Sequence, residues 1–174
     1  MDRKKLILKI GVPALIVLII AGIFAFKSWN KDDATVPNST DTIPLAVQSV
    51  DLVKLKEHKQ PIVIDFGADS CIPCKEMAPV LKKLNEEWQG KAVVQFVDVW
   101  KYGEAAQDFP IQVIPTQVFY TADGKPFTPS EELSAEIEFT MYSHKETGDH
   151  LFTVHQGGLT EAQMRKIFVE MGVE

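Results

Sequence analysis

The sequence predicts an α/β domain in which helices flank a mixed central sheet, preceded by one N-terminal transmembrane helix. Two observations support this fold class. Segments with helical and strand periodicity alternate along residues 47–174 and close with a pair of strands and a helix, an order typical of a mixed sheet covered by helices. Residues 10–26 form an uncharged apolar run ahead of this more polar part of the chain.

The charge distribution divides the chain into three parts. Residues 1–9 carry a net charge of +3 and residues 10–26 carry none, whereas residues 27–174 hold 14 basic and 23 acidic side chains. Because an acidic domain is repelled by phosphate backbones, we expect no nucleic-acid partner. The hydrophobic fraction of 45% argues against wholesale disorder.

Residues 10–26 are predicted to be a single-pass membrane anchor. As a helix, the run would span roughly 26 Å, near the short end for a bilayer core, and Lys9 and Lys27 could reach the interfaces. No small-x-small cleavage site follows it, so an uncleaved anchor is favoured over a signal peptide, which remains the alternative. The basic tail, residues 1–9, then stays in the cytoplasm, and the domain is extracytoplasmic, in the periplasm or at the outer face of the cell membrane. Residues 27–46, with two prolines and many small or polar side chains, are predicted to be a flexible linker.

The first half of the domain, residues 47–174, contains three predicted elements. A short helix over residues 48–59 ends before Pro61. The apolar run at residues 62–66 is bounded by proline and glycine and predicts a strand buried on both faces. An amphipathic helix is predicted over residues 72–88, because apolar side chains recur there at helical spacing. These side chains are Met77, Val80, Leu81, Leu84 and Trp88.

Strands and helices continue to alternate in the second half of the domain. Apolar runs predict strands over residues 92–99, 116–121 and 151–155, and a short helix is predicted over residues 102–108. A capping-box pattern predicts that the closing helix covers residues 160–171.

Residues 127–150 fit this alternation least well and are interpreted as an insertion. A short helix or loop is expected near residues 130–137, and a strand-like segment near residues 137–143. The acidic side chains of this insertion could select a substrate, although a solvated surface is the favoured interpretation.

The predicted chemistry lies in the two cysteines, which form the motif Cys71-Ile72-Pro73-Cys74 between the buried strand and the amphipathic helix. A cysteine at a helix N-terminus faces unpaired N–H groups and the positive end of the helix dipole, and both stabilise a thiolate. Cys71 is therefore the predicted nucleophile, and Cys74, one turn further, could attack a mixed disulfide formed on Cys71. Pro73 stiffens the connection. A redox-active pair, with no metal and no cofactor, is the favoured interpretation.

Three alternatives to a redox pair remain. A structural disulfide with a two-residue spacer would remove little entropy from the unfolded chain. A zinc site would need two further ligands, and of the four histidines only His150 and His155 have ligand-like spacing. A Cu(I) site on both thiolates, with Met77 as a third ligand, would make the chain a copper-handling binding module without redox turnover.

Asp65 is the third candidate catalytic residue. It lies in the apolar run Ile-Val-Ile-Asp-Phe, six residues before Cys71, and burial there would raise the pKa of its carboxyl group. Near the two cysteines it could take and return the proton of Cys74. The alternative is an acid at the strand end that is solvated or caps a turn.

The stretch VIDFGADSCIPCKEMAPVL, residues 63–81, resembles the active-site segment of the thioredoxin family. The shared features are an aspartate six residues before the first cysteine, the C-x-P-C-K motif and an Ala-Pro pair in the following helix. Residues 114–116 (Ile-Pro-Thr) match the family's cis-proline loop, and residues 157–158 (Gly-Gly) match the turn before its last helix. The resemblance covers roughly residues 48–174 and implies a thioredoxin-like fold.

The resemblance also implies roles for individual residues. Cys71 would be the attacking thiol, Cys74 the resolving thiol and Asp65 the buried proton carrier. The proline of the cis-proline loop would face the disulfide, and the backbone before it would hydrogen-bond an extended substrate strand. The residues expected to contact substrate are Ile114, Pro115 and Pro73.

Three positions depart from the family's usual pattern. Ser70 and Gly67 stand where the family often has tryptophan. Gln95 is assigned to the position of a lysine that often lies near the buried aspartate, so no cation would support the pKa of Asp65 there.

The resemblance and the predicted anchor together indicate an extracytoplasmic protein-disulfide reductase. Strong oxidants of this superfamily carry a histidine between the cysteines, whereas Ile72 and Pro73 offer no such charge. The expected partners are proteins that contain disulfides and, because a reductase outside the cytoplasm needs electrons from within, a transmembrane electron donor of the DsbD or CcdA kind.

Overall fold

A mixed six-stranded sheet organises the part of the chain that the computed structural model describes, residues 42–174. The strands are β1 (Ala46–Val47), β2 (Ile62–Gly67), β3 (Val93–Asp98), β4 (Thr116–Tyr120), β5 (Thr140–Ser143) and β6 (His150–Gln156). The helices are α1 (Leu52–Glu57), α2 (Ile72–Glu87), α3 (Glu131–Glu136) and α4 (Glu161–Glu170), with a short 3-10 helix over Gly103–Ala106.

The strand order is β1-β3-β2-β4-β6-β5. β3 runs parallel to both β1 and β2, whereas β4 is antiparallel to β2 and the last two strands continue the antiparallel half. Every residue of the central strand β2 is buried, as its continuous apolar run predicts. The predicted α/β class with a mixed sheet flanked by helices is confirmed.

Alternating side chains place two apolar layers on the two faces of the sheet. One layer lies under α2 and α4 and includes Val63, Leu81, Leu84, Val94, Phe119, Met164, Ile167 and Phe168. The other lies under α1 and the 3-10 helix and includes Leu55, Ile62, Ile64, Phe66, Val93, Val97, Val118 and Tyr120. Asp65 falls between two members of the second layer, so its side chain belongs to the face covered by α2.

Side-chain caps set where several helices begin. α1 is shorter than predicted, because Asp51 caps its N-terminus by accepting a hydrogen bond from the Lys54 N–H at 3.0 Å. α2 begins at Ile72, as predicted. The capping box expected for the last helix is present, with Thr160 and Gln163 each accepting a backbone N–H from the other.

The segment interpreted as an insertion supplies α3 and the edge strand β5. Ser130 caps α3 by accepting a hydrogen bond from the Leu133 N–H at 3.1 Å. β5 pairs with β6, and the Thr153 hydroxyl of β6 donates to the Phe127 carbonyl, which fastens the start of the insertion to the sheet. The insertion therefore extends the sheet by one strand.

The folded domain starts before residue 47. Ile43, placed in the predicted linker, is buried in the layer under α1. Its N–H donates to Gln89 Oε1 at 2.8 Å and its carbonyl accepts from Asn85 Nδ2 at 3.0 Å. Linker-like composition concealed these contacts, since Ile43 is followed directly by Pro44 and its short apolar surroundings show neither helical nor strand periodicity.

The predicted membrane anchor, residues 10–26, and the basic tail, residues 1–9, lie outside the described residues. Among the helices within residues 42–174, none combines the length and the apolar character that crossing a bilayer requires. The anchor stays a prediction.

Candidate active site

Cys71 and Cys74 form a disulfide at the N-terminus of α2, with their Cα atoms 5.3 Å apart. Cys71 is the N-cap residue, and its Sγ accepts a hydrogen bond from the Cys74 N–H at 3.4 Å. In the reduced protein, this amide and the helix dipole favour a thiolate on Cys71 over a thiol. Cys71 keeps 9% of its surface exposed and Cys74 only 3%, so Cys71 is the more accessible of the two.

The loop before β4 covers one side of Cys71. The Ile114 carbonyl oxygen lies 4.0 Å from Cys71 Sγ, and the Ile114–Pro115 peptide bond is cis, the isomer that the resemblance implied. The Pro115 carbonyl accepts a hydrogen bond from the Gly157 N–H at 2.8 Å, which ties this loop to the turn before α4. Pro73, in the first turn of α2, is exposed beside the disulfide.

Asp65 is fully buried. Its Oδ1 accepts a hydrogen bond from Gln117 Nε2 at 2.6 Å, whereas its Oδ2 has no partner among the described residues. Burial raises the pKa of the Asp65 carboxyl from 3.8 to about 7, although the Gln117 hydrogen bond opposes that rise. A carboxyl group with a pKa near neutrality can both take and release a proton under physiological conditions.

The Cys74 side chain, from α2, packs on the face of β2 that carries the Asp65 side chain. A Cβ added to Gly67 would lie 3.2 Å from Cys74 Sγ, so this sulfur packs against the strand two residues beyond Asp65. Met77, one turn after Cys74, places its Sδ 3.4 Å from the same Gln117 Nε2 that binds Asp65. The carboxyl group thus lies beneath the first two turns of α2.

Gln117 was not predicted, and the expectation for Gln95 was wrong. Gln117 lies directly opposite Asp65 in the antiparallel pair of β2 and β4. Gln95, on β3, is paired with Ile64 of β2. Its side chain therefore lies on the face of the sheet opposite to Asp65, where it lines a cavity beside α1. A polar residue within the apolar strand TQVFY is the signal that could have identified Gln117, as it did for Asp65.

A second buried carboxylate, Asp98, ties the loop that carries the cysteines to the loop after β3. It accepts hydrogen bonds from the backbone N–H groups of Asp69 and Trp100, both at 3.0 Å, and of Lys101, at 3.1 Å. Desolvation acts to raise the pKa of Asp98, but these hydrogen bonds and the Lys101 ammonium group outweigh it and hold the pKa below its usual value. No sequence motif predicted this role.

The side chains proposed for the alternative metal sites have other partners. Within residues 42–174, no group of three or more His, Cys, Asp or Glu side chains is arranged to hold a metal ion. A His150 ring nitrogen lies 2.8 Å from the Thr153 hydroxyl, and a His155 ring nitrogen lies 2.8 Å from the Glu138 carbonyl. Met77 is buried with its sulfur against the Gln117 amide.

Comparison with known proteins identifies one family. The family model described as Thioredoxin matches residues 48–141. Thioredoxin H4 of Arabidopsis thaliana is 38% identical over 95 residues, which cover 52% of this chain and 80% of that protein. The thioredoxin of Staphylococcus saprophyticus is 38% identical over 82 residues, 44% of this chain and 78% of that protein.

Solved structures agree on the fold. A mutant thioredoxin from Halobacterium salinarum aligns with a TM-score of 0.50 at 22% identity, over 75% of this chain and 92% of that one. The thioredoxin of Fasciola hepatica aligns with a TM-score of 0.50 at 24% identity, over 74% of this chain and 99% of that one.

Proposed function

The chain belongs to the thioredoxin family, and on that basis we propose that it is a thiol–disulfide oxidoreductase that reduces disulfides of extracytoplasmic proteins. The observation that carries the proposal is the Cys71–Cys74 disulfide at the N-terminus of α2. Two cysteines held at bonding distance can cycle between dithiol and disulfide and so pass two electrons to a substrate. The cis-proline loop and the buried Asp65 lie on either side of this pair.

The first step is attack by the Cys71 thiolate on one sulfur of a substrate disulfide. A bond forms between Cys71 Sγ and that sulfur, the substrate S–S bond breaks, and the second substrate sulfur leaves as a thiolate that takes a proton from solvent. The Ile114 backbone, next to Cys71, can hydrogen-bond an extended substrate segment. Pro115 and Pro73 flank the same position.

The second step is resolution of the mixed disulfide by Cys74. The Asp65 carboxylate accepts the proton of the Cys74 thiol, directly or through a water, and Cys74 Sγ attacks Cys71 Sγ. The Cys71–Cys74 disulfide forms, and the first substrate sulfur leaves as a thiolate and is protonated. The substrate gains two electrons and two protons, and a reduced dithiol donor must then restore the pair.

The direction and the location form the finer part of the proposal. Ile72 and Pro73 place no cation between the cysteines, which supports a reductase over a strong oxidant. The basic tail before residues 10–26 supports an extracytoplasmic domain anchored in the cell membrane. A transmembrane electron donor of the DsbD or CcdA kind would then supply the electrons, and the linker would keep the domain close to it.

Insulin reduction by the wild type and by Cys74→Ser tests the reaction. We expect turnover by the wild type, no turnover by Cys74→Ser, and a substrate trapped on Cys71 as a mixed disulfide that dithiothreitol releases. Trapping in cells would then identify the substrate. Unreactive thiols in the reduced wild type would contradict the proposal and support a structural disulfide.

Two further measurements test the finer points. An equilibrium potential near about −120 mV, the scale of strong oxidants, would overturn the assignment as a reductase. Tight stoichiometric Cu(I) binding without any reductase activity would instead favour the copper-handling module. Protease digestion of intact cells or spheroplasts tests the location, since an extracytoplasmic domain is degraded there while cytoplasmic proteins survive.

A further inference from the structure

The neighbour of Asp65 on β4 points to a positioning residue that the sequence did not reveal. We propose that Gln117 holds the Asp65 carboxyl group in place and sets the pH at which that group can accept the Cys74 proton. This inference rests on the proposed function, and its test includes a measurement that does not depend on activity.

Gln117 is fixed by three elements at once. It is fully buried, and the antiparallel register of β2 and β4 puts it directly opposite Asp65. Its Nε2 lies 2.6 Å from Asp65 Oδ1, 3.1 Å from the Gly157 carbonyl oxygen and 3.4 Å from Met77 Sδ. The amide therefore links β2, the turn before α4 and the second turn of α2.

The two carboxyl oxygens of Asp65 differ in their hydrogen bonding. Gln117 is the only hydrogen-bond donor to the Asp65 side chain among the described residues, and it binds Oδ1. Oδ2 has no partner within residues 42–174, so it is the oxygen left to receive a proton. An amide that holds one carboxyl oxygen and leaves the other without a hydrogen bond suits a group that must take up and release a proton in every cycle.

The ionisable side chains around Asp65 have partners of their own. On the facing elements these are Cys74 of α2, Asp98 of β3 and His155 of β6, which is in register with Gln117. Asp98 is held by backbone N–H groups, and a His155 ring nitrogen lies beside the Glu138 carbonyl. β4 contributes no ionisable side chain to this face of the sheet, and α4 covers the face with the apolar side chains of Met164, Ile167 and Phe168.

The expected effect has a definite sign. An N–H donor stabilises a carboxylate more than a carboxylic acid, so its loss must raise the pKa of Asp65 further. At neutral pH a smaller fraction of the molecules would then hold the carboxylate that accepts the Cys74 proton. Resolution of the mixed disulfide would slow near neutrality and recover at more alkaline pH.

Carboxyl NMR titration of the oxidised full-length protein in detergent, labelled with 13C-aspartate, tests the electrostatic part. We expect the pKa of Asp65 to rise by about one unit or more in Gln117→Leu, the scale of a lost charge-assisted hydrogen bond. Gln95→Leu is a matched control, because it removes another buried glutamine of the same sheet from the opposite face. An unchanged or lowered pKa in Gln117→Leu, or an equal shift in Gln95→Leu, would overturn the proposal.

The pH profile of insulin reduction tests whether Gln117 acts through Asp65. We expect its acidic limb to shift to higher pH in Gln117→Leu, and the double variant Asp65→Asn/Gln117→Leu to match Asp65→Asn alone. Additional loss in the double variant would overturn the proposal. Gln117→Met, which keeps the side-chain length without a donor, replaces Gln117→Leu should that variant misfold. A wild type without reductase activity refutes the proposed function but leaves the NMR result interpretable.

Discussion

At the residue scale, the burial of one carboxyl group couples the candidate site to the stability of the fold. Asp65 is fully buried and its pKa is raised to about 7. The folded protein therefore holds this proton to higher pH than the unfolded chain does, and stability is lost as the pH rises from about 4 to about 7. A proton carrier that works near neutrality thus destabilises the domain at that pH.

Asp65→Asn should stabilise the oxidised protein in a pH-dependent manner. The gap of about 3 pH units between unfolded and folded pKa values corresponds to a gain on the order of 4 kcal/mol above pH 7, falling towards zero at pH 4. Urea denaturation at pH 4 and pH 8 measures it. Asp108→Asn, which removes an exposed carboxyl group, serves as the control for the change of charge. An equal gain from Asp65→Asn at both pH values would contradict the explanation.

Gly67→Ala should destabilise the domain, because this glycine lets Cys74 approach the sheet. An added Cβ would lie 2.9 Å from Phe96 Cε2 and 3.2 Å from Cys74 Sγ, both too close without displacement. We expect a loss of about 1–3 kcal/mol in urea denaturation, the usual cost of overpacking. Gly103→Ala is the matched control, since its added Cβ would have no atom of the described residues within 4 Å. Equal effects of the two substitutions would show that packing at Cys74 is not the cause.

Whether a residue of the candidate site could be predicted from the sequence depends on how close it lies, along the chain, to the other site residues. Cys71, Cys74 and Asp65 belong to one contiguous segment, in which a continuous apolar run predicts the strand and a periodic apolar stripe predicts the helix, so their proximity could be predicted. Gln117 is 52 residues from Asp65 and reaches it only through the antiparallel pairing of β2 with β4. That register is set by packing across the whole sheet, which no single segment encodes. The register of β3 was likewise unknown from the sequence, so Gln95 was wrongly expected on the face of the sheet that carries Asp65.

At the element scale, Asp98 joins two loops that β2 and β3 deliver to the same edge of the sheet. Its carboxylate binds the Asp69 N–H of one loop and the Trp100 and Lys101 N–H groups of the other. The Lys101 ammonium group also pairs with the Asp69 carboxylate. The segment leading to Cys71 is thereby held from outside its own sequence.

Asp98→Ala should loosen both loops at once. Three backbone donors lose an ionised acceptor, and we expect a loss of about 2–3 kcal/mol at pH 7, with Asp98→Asn intermediate. Because the folded-state pKa of Asp98 is lowered, this stabilisation is present above pH about 4 and is lost as the pH falls further. Urea denaturation at pH 7 and below pH 4 tests this, and a difference that stays constant with pH would argue against the carboxylate.

The elements themselves were predictable in proportion to their burial. β2, β3 and β4 are continuous apolar runs because both faces are covered, and α2 and α4 show a periodic buried stripe. The two-residue strand β1 and the mostly exposed strand β5 lie at the sheet edges, where few side chains need to be apolar. Edge pairing is decided by backbone hydrogen bonds, which leave little trace in composition.

At the scale of the whole molecule, the boundary between the predicted linker and the domain decides which part of the chain folds as a unit. The segment at residues 42–47 closes one side of the fold. Ile43 enters the core, its backbone pairs with the Asn85 and Gln89 side chains, and β1 extends the sheet beside β3. Composition had assigned most of this segment to the linker.

Two truncated chains should therefore differ sharply in stability. We expect residues 42–174 to unfold at the same urea concentration as the domain in the full-length protein, because this chain keeps every core contact that the structure describes. Residues 49–174 lose the buried Ile43 side chain, worth about 1.5–3 kcal/mol, and leave the Gln89 amide without that partner. They also expose the edge of β3, whose Phe96 N–H donates to the Leu45 carbonyl at 2.6 Å.

Ile43→Ala in the longer chain separates the two contributions, since it removes the side chain but keeps the strand pairing. Equal midpoints for the two truncated chains would mean that residues 42–48 do not stabilise the domain, and would contradict a folded domain that starts before residue 47.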